Sequence, residues 1–278
     1  MASHTSRTRP AAVAGSFYPR DPTLLREQLG RMFDAVPAGP AQPQAPKMLV
    51  APHAGYQYSG EIAARAYALL APQRDRIRRV VLVGPGHRVA FRGIAVPSVD
   101  AFWSPLGAVP LDTAAIQALR SLPQVSVADA PHAWEHSLEV HLPFLQSVLA
   151  DFAIVPLIVG DASPLDVAQV LETLWGGPET VVVVSSDLSH YHEYGFARQI
   201  DAATVQAVLR METGIDHEQA CGATPINAAL LCARRHGLHP RLLDLRNSGD
   251  TAGPRDRVVG YCAIAFDEDA DQDARDAG

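Results

Sequence analysis

Val80-Val81-Leu82-Val83-Gly84-Pro85-Gly86-His87 is the stretch that decides the fold. Its four apolar, mostly β-branched residues predict a strand buried on both faces, as in the interior of a parallel sheet. Two glycines and a proline end that strand in a tight turn. The first polar side chain beyond the turn is a histidine. Open α/β sheets bind ligands outside the carboxyl ends of their strands, so His87 is delivered to the place where a site is expected.

The pattern recurs at Met48-Leu49-Val50-Ala51-Pro52-His53 and at Val181-Val182-Val183-Val184-Ser185-Ser186-Asp187-Leu188-Ser189-His190. Three strands that each release a histidine past the carboxyl end can bring those histidines to one point. The fold class that follows is α/β: a central, mostly parallel or mixed sheet with helices on both faces.

With 278 residues, 47% hydrophobic and 19% charged, the chain has ample material for a core. Residues 9–266 read as a single domain, with loose polar tails at 1–8 and 267–278. The net charge of −7 argues against a nucleic-acid partner, which would call for a basic face. The start of the chain has no apolar signal-like core, and no apolar run approaches the roughly 18 residues of a membrane span. The expectation is a cytoplasmic protein without a membrane partner. Cys221, Cys232 and Cys262 include no CxxC, so neither a disulfide framework nor a zinc ribbon is implied.

Along the chain, Asp21 is placed to cap a helix through Leu24, Leu25, Leu29 and Met32. Proline-rich residues 35–46 form a connector, and a second helix begins at Ser59. The aromatic stretch Phe102–Pro110, with Trp103 at its head, either walls a pocket or forms a packed hairpin. Helices are expected over 112–121, 163–175, after Asp201 and from Pro225 to His236. Strands are expected at 124–127, 152–160, 241–246 and 258–266. The segment from His132 to about Ala150 reads as one amphipathic helix, on which His136 and Glu139 share a face. His141, five positions from His136, rules out an HExxH zinc helix. Three His and two Glu within ten residues point to a contact with ligand or with the residues that hold it.

Neutral imidazoles suit iron, copper, nickel or zinc, and two or three of them need a further donor. Cys221 is the candidate, because Thr224 and Pro225 mark a helix start just beyond it, where the helix dipole favours thiolate. Cys232 and Cys262 read as packing residues. Asp187 is placed to fix a histidine tautomer or to cap its turn. His190 is either a further ligand or a general base; with His53, His87 and Cys221 supplying three ligands, the base is preferred.

At these residues the chain resembles a known family. Gly15-Ser16-Phe17-Tyr18-Pro19, Ala51-Pro52-His53-Ala54-Gly55-Tyr56, Gly84-Pro85-Gly86-His87, Ser104-Pro105-Leu106-Gly107, Glu135-His136-Ser137-Leu138-Glu139-Val140-His141-Leu142-Pro143-Phe144, Ser185-Ser186-Asp187-Leu188-Ser189-His190 and Cys221-Gly222 occur in order. Together they are similar to the Memo-like family, protein B of the bacterial AmmeMemoRadiSam set. That resemblance implies a fold like that of the class III, LigB-like extradiol dioxygenases. It also implies His53 and His87 as ligands, His190 as the acid/base, and Cys221 where the dioxygenases carry a carboxylate.

Two kinds of function follow. One is a non-haem oxidoreductase holding Fe(II), with copper or zinc as alternatives, that acts with O2 or a small aromatic molecule. Its expected substrate contacts are Tyr18, Trp103, His136 and Glu139. The other is a non-catalytic metal-binding or adaptor protein whose cleft takes a peptide or a protein. The resemblance implies a radical SAM protein and an AMMECR-type protein as its functional neighbours.

Overall fold

The apolar runs form the centre of a nine-stranded sheet in the computed structural model of the chain, which describes residues 7–38 and 44–268. In chain order the elements are β1 (Thr8–Arg9), α1 (Pro22–Asp34), β2 (Met48–Ala51), α2 (Tyr56–Ala68), β3 (Arg79–Pro85), β4 (Ile94–Val96), β5 (Ala101–Ser104) and β6 (Gly107–Pro110). They continue with α3 (Thr113–Leu119), β7 (Val125–Val127), α4 (Ala130–Ala133), α5 (Leu142–Val148), β8 (Ala153–Val159), α6 (Pro164–Thr173) and β9 (Thr180–Ser185). The last are β10 (His190–His192), α7 (Tyr194–Leu209), α8 (Ala223–Arg235), β11 (His239–Asn247) and β12 (Val258–Asp267).

The large sheet runs β10-β12-β2-β9-β3-β8-β4-β7, with β11 also paired to β12. Its middle, β2-β9-β3-β8, is parallel throughout, and antiparallel pairings of β12 on β2 and of β4 on β8 flank it. The fold is therefore mixed α/β. Every residue of β9 is buried, as is every residue of β3 after Arg79, and a strand is dry on both sides only when both faces are covered. Helices α1, α2 and α5 pack together, with α2 against β2 and β12; α6 and α8 form a second pair, with α8 on β3 and β9.

The order β2-β9-β3 places the three strands that precede His53, Asp187 and His87 side by side. One close contact depends on a glycine. A Cβ at Gly84 would come within 2.9 Å of Leu138 Cδ2 and 3.0 Å of Ser185 Cβ, so the segment around Ser137 can lie directly over the end of β3.

Several boundaries differ from the sequence expectation. The second helix starts at Tyr56, and the helix expected after Asp201 starts at Tyr194, where Glu193 accepts from Gly195 N and Phe196 N. The single helix expected from His132 to Ala150 is three pieces: α4, a 3-10 turn at Glu139–His141, and α5 with a proline in its first turn. Residues 102–110 form the β5–β6 hairpin, which joins β1 in a small second sheet. Thr8 and Asp267, expected in loose tails, belong to β1 and β12. The rest of that expectation, at 1–6 and 269–278, and the middle of the proline-rich connector, at 39–43, lie outside the described residues.

Candidate metal centre

His53, His87 and His136 meet beyond the carboxyl ends of β2 and β3. Each offers one ring nitrogen, and the three nitrogens lie within 4.8 Å of one another. Ring centroids are 5.2 Å apart for His53–His87, 5.4 Å for His53–His136 and 4.8 Å for His87–His136. His53 is buried, His136 half-buried and His87 the most open, so the cluster has a closed floor and one accessible side.

Neighbouring groups tie back Nδ1 of two of these rings, His53 and His87. Ser185 Oγ donates its one proton to Ser137 O (2.6 Å), so it accepts from His53 Nδ1 (2.6 Å) and leaves Nε2 with a free lone pair. His87 Nδ1 donates to Glu135 Oε1 (2.9 Å), and His136 Nδ1 stands 3.1 Å from the same oxygen. Glu135 also accepts from the backbone N–H groups of His87, His136 and Ser137. Although burial works against it, the adjacent His136 imidazole and the hydrogen bonds from His87 hold its carboxyl far below the usual carboxylate range. An ionised carboxylate can only accept, so His87 turns its Nδ1–H toward Glu135, while His136 Nδ1 makes no hydrogen bond among the described residues. Burial, reinforced by the neighbouring His87, His136 and His141, keeps the His53 imidazole well below its ordinary value and hence neutral. Neutral imidazoles with one nitrogen tied back are the form in which histidine binds a metal.

Cys221 Sγ lies 3.3 Å from His53 Nε2 and 3.7 Å from Asp187 O. It reaches this position because Gly222 lies almost against β9, where a Cβ would be 2.6 Å from Ser186 Cβ and 2.7 Å from Ser185 O. The helix beyond it, α8, begins with Gly222 as its cap rather than Thr224. The thiolate bias expected from that helix end is overridden: burial, with the Asp187 charge beside it, pushes the Cys221 thiol up to about 12. A cation at the cluster would replace that proton. Asp187 Oδ1 accepts from His53 N (2.8 Å), and its Oδ2 is 3.9 Å from His53 Nε2. The residue thus orients the His53 backbone with one oxygen and keeps the other close to the cluster.

The remaining candidates fall elsewhere. His190, half-buried on β10 opposite Val259, is outside the three-imidazole cluster. A bulge between His190 and His192 holds Tyr191 in the left-handed region (φ 61°), and such bulges re-aim the side chains beside them. Tyr18 and Glu139, expected at the substrate, are buried against each other, with Tyr18 Oη donating to Glu139 Oε1 (2.6 Å). Glu139 is fully buried and accepts as well from Arg9, Ala12 N and Val13 N, so its charge is met by the protein itself. His136 and Glu139 do not share a helix face, because the backbone between them is not helical until Glu139. Trp103 is 48% exposed on the hairpin strand β5. Cys232 and Cys262 are buried packing residues, as expected.

The family model described as Memo-like protein matches residues 9–265. The chain belongs to the Memo-like family. This Memo-like chain is 35% identical to a MEMO1 family protein of Archaeoglobus fulgidus, over 93% of this chain and 99% of that one. It is 34% identical to one of Methanosarcina barkeri and 33% identical to one of Aquifex aeolicus, again over more than nine-tenths of each chain. Sequence reasoning missed Glu135 and Ser185 as the groups that hydrogen-bond His87 and His53 in this Memo-like site. The density of His and Glu around residue 136 was the available signal for Glu135. Ser185 had none beyond its place at a strand end.

Proposed function

We propose that this Memo-like chain is a mononuclear metalloprotein that performs redox chemistry with O2 or a small aromatic molecule. Its metal would be held by His53, His87 and His136, with Cys221 as a fourth donor. The observation that most supports the reading is the convergence itself: one ring nitrogen each from His53, His87 and His136 lies within 4.8 Å of the others, and Ser185 and Glu135 tie back Nδ1 of His53 and of His87. Iron(II) is the ion proposed first, with copper and then zinc as competitors, since imidazole and thiolate donors suit all three. Bound iron or copper would supply a redox centre there, which zinc would not. Cys221 would give up its proton to bind, Asp187 holds the His53 backbone, and His190, at the start of β10, would handle protons.

The test is metal content by elemental analysis of protein purified without oxygen or chelators. About one iron or copper per chain, lost in His87→Ala and lowered in Cys221→Ser, is the expected result. No bound ion in the wild type after anaerobic reconstitution would overturn the reading.

One observation favours a second reading, a cleft that receives a peptide or a partner. Trp134, directly before Glu135 and His136, is 72% exposed, and exposed aromatics of this kind often anchor interfaces. Under that reading the chain works with a radical SAM protein and an AMMECR-type protein. Co-purification of those proteins that is lost in Trp134→Ala, but kept in His87→Ala, would support it.

A further inference from the structure

We infer that Arg9 is a positioning residue of the metal centre, acting through the segment that carries Glu135 and His136. The inference rests on the metal-binding reading above and adds to it the device that holds the third imidazole in place.

Arg9 lies at the other end of the chain on β1, in register with Phe102 of β5, and its guanidinium is 4.9 Å from the Phe102 ring centroid. It is buried, and apart from a long contact of Nη1 with Pro10 O (3.4 Å) its donors go to a single stretch. Nε donates to His132 O (2.6 Å), Nη2 to Glu135 O (2.6 Å) and Nη1 to Glu139 Oε2 (2.6 Å). Those three acceptors bracket Glu135 and His136 on both sides. The stretch needs such support. Helix α4 ends at Ala133 and the 3-10 turn begins at Glu139, so the backbone between them has no regular ladder of its own.

The guanidinium supplies a planar fork with donors in fixed directions, which lysine, a point charge on a flexible stem, cannot reproduce. The segment after Arg9 reinforces the grip. Ala12 N, Val13 N and Tyr18 Oη all donate to Glu139, and the Phe17 ring sits 4.9 Å from the His136 ring. Where Arg9 goes, Glu135 and the His136 ring beside it follow.

The experiment is a double-mutant cycle on the full chain, read by Co(II) affinity in a competitive chelator titration and by the Co(II) visible spectrum. Arg9→Lys should weaken Co(II) binding roughly 10-fold, as loss of outer partners of metal ligands does. Its spectrum should move toward that of His136→Ala. In the His136→Ala background the same substitution should change affinity by less than about 2-fold, because the ligand it positions is gone. An equal loss in both backgrounds would make Arg9 a general scaffold residue and overturn this inference alone. Full affinity in His136→Ala would overturn the three-imidazole reading and this inference with it. If Arg9→Lys does not fold, Arg9→Met combined with Glu139→Gln removes both buried charges together and carries the same expectations.

Discussion

His132 gives the sharpest measurable consequence of how this protein is packed. Its Nε2 donates to Ala95 O (3.0 Å), its Nδ1 has no partner among the described residues, and the side chain is buried. Burial, only partly offset by the Ala95 carbonyl, pushes the imidazole down to about 4. In the unfolded chain the same group titrates near 6.5. As pH falls from 7, the unfolded chain therefore takes up a proton that the folded chain refuses, and unfolding gains. The contribution is complete above about 6.5 and is lost progressively until the folded imidazole itself titrates near 4. The whole gap is worth about 3 kcal/mol, of which roughly 2 kcal/mol is lost between pH 7 and pH 5. Urea denaturation of metal-free protein at those two pH values, for wild type and His132→Gln, isolates the effect. Glutamine keeps a donor for Ala95 O and cannot titrate. The wild type should lose about 2 kcal/mol more than the variant over this interval. Parallel losses would mean that His132 is not held neutral by its surroundings, and the reasoning would fail.

Two further perturbations probe the centre. Glu135→Gln should weaken metal binding about 10- to 100-fold with circular dichroism unchanged, because an amide cannot accept from all the donors that converge on Glu135. Gly222→Ala should destabilise the chain by about 1–3 kcal/mol in urea and weaken metal binding too, because its Cβ has no room against Ser186 and must push Cys221 away from His53.

The sheet and two of its site histidines were legible in the sequence, because buried parallel strands leave an unmistakable run of β-branched residues and the site lies where those runs stop. His53 and His87 needed only that pattern. Cys221, read as a thiolate ligand, lies beside His53 with its thiol pushed up toward the protonated form. The helix end argued for thiolate, while burial beside Asp187 keeps the proton on, a balance that only three-dimensional packing can set. The stretch from His132 to Ala150 misled because helical spacing was applied across a backbone that is irregular between Ala133 and Glu139. This put His136 on a face with Glu139, when the two side chains serve different neighbours. Tyr18 and Glu139, read as substrate contacts, are buried against each other, a pairing across 121 positions that no local pattern announces. Arg9 is 130 positions from the carboxylate it pairs with, and no local pattern announces such a partner.

The ligands of the proposed centre come from four separate stretches, and Cys221 follows His53 by 168 positions. No short piece of this chain can gather even two of the strand-end groups without the β2-β9-β3 core already paired. A zinc finger condenses around its ion; in the proposed centre the ion would have little to organise until long-range parallel pairing is complete. During synthesis the chain must emerge past Gly222 before Cys221 can reach His53. Metal limitation should therefore leave a folded but empty protein rather than a misfolded one, and loading becomes a step that can be timed separately from folding.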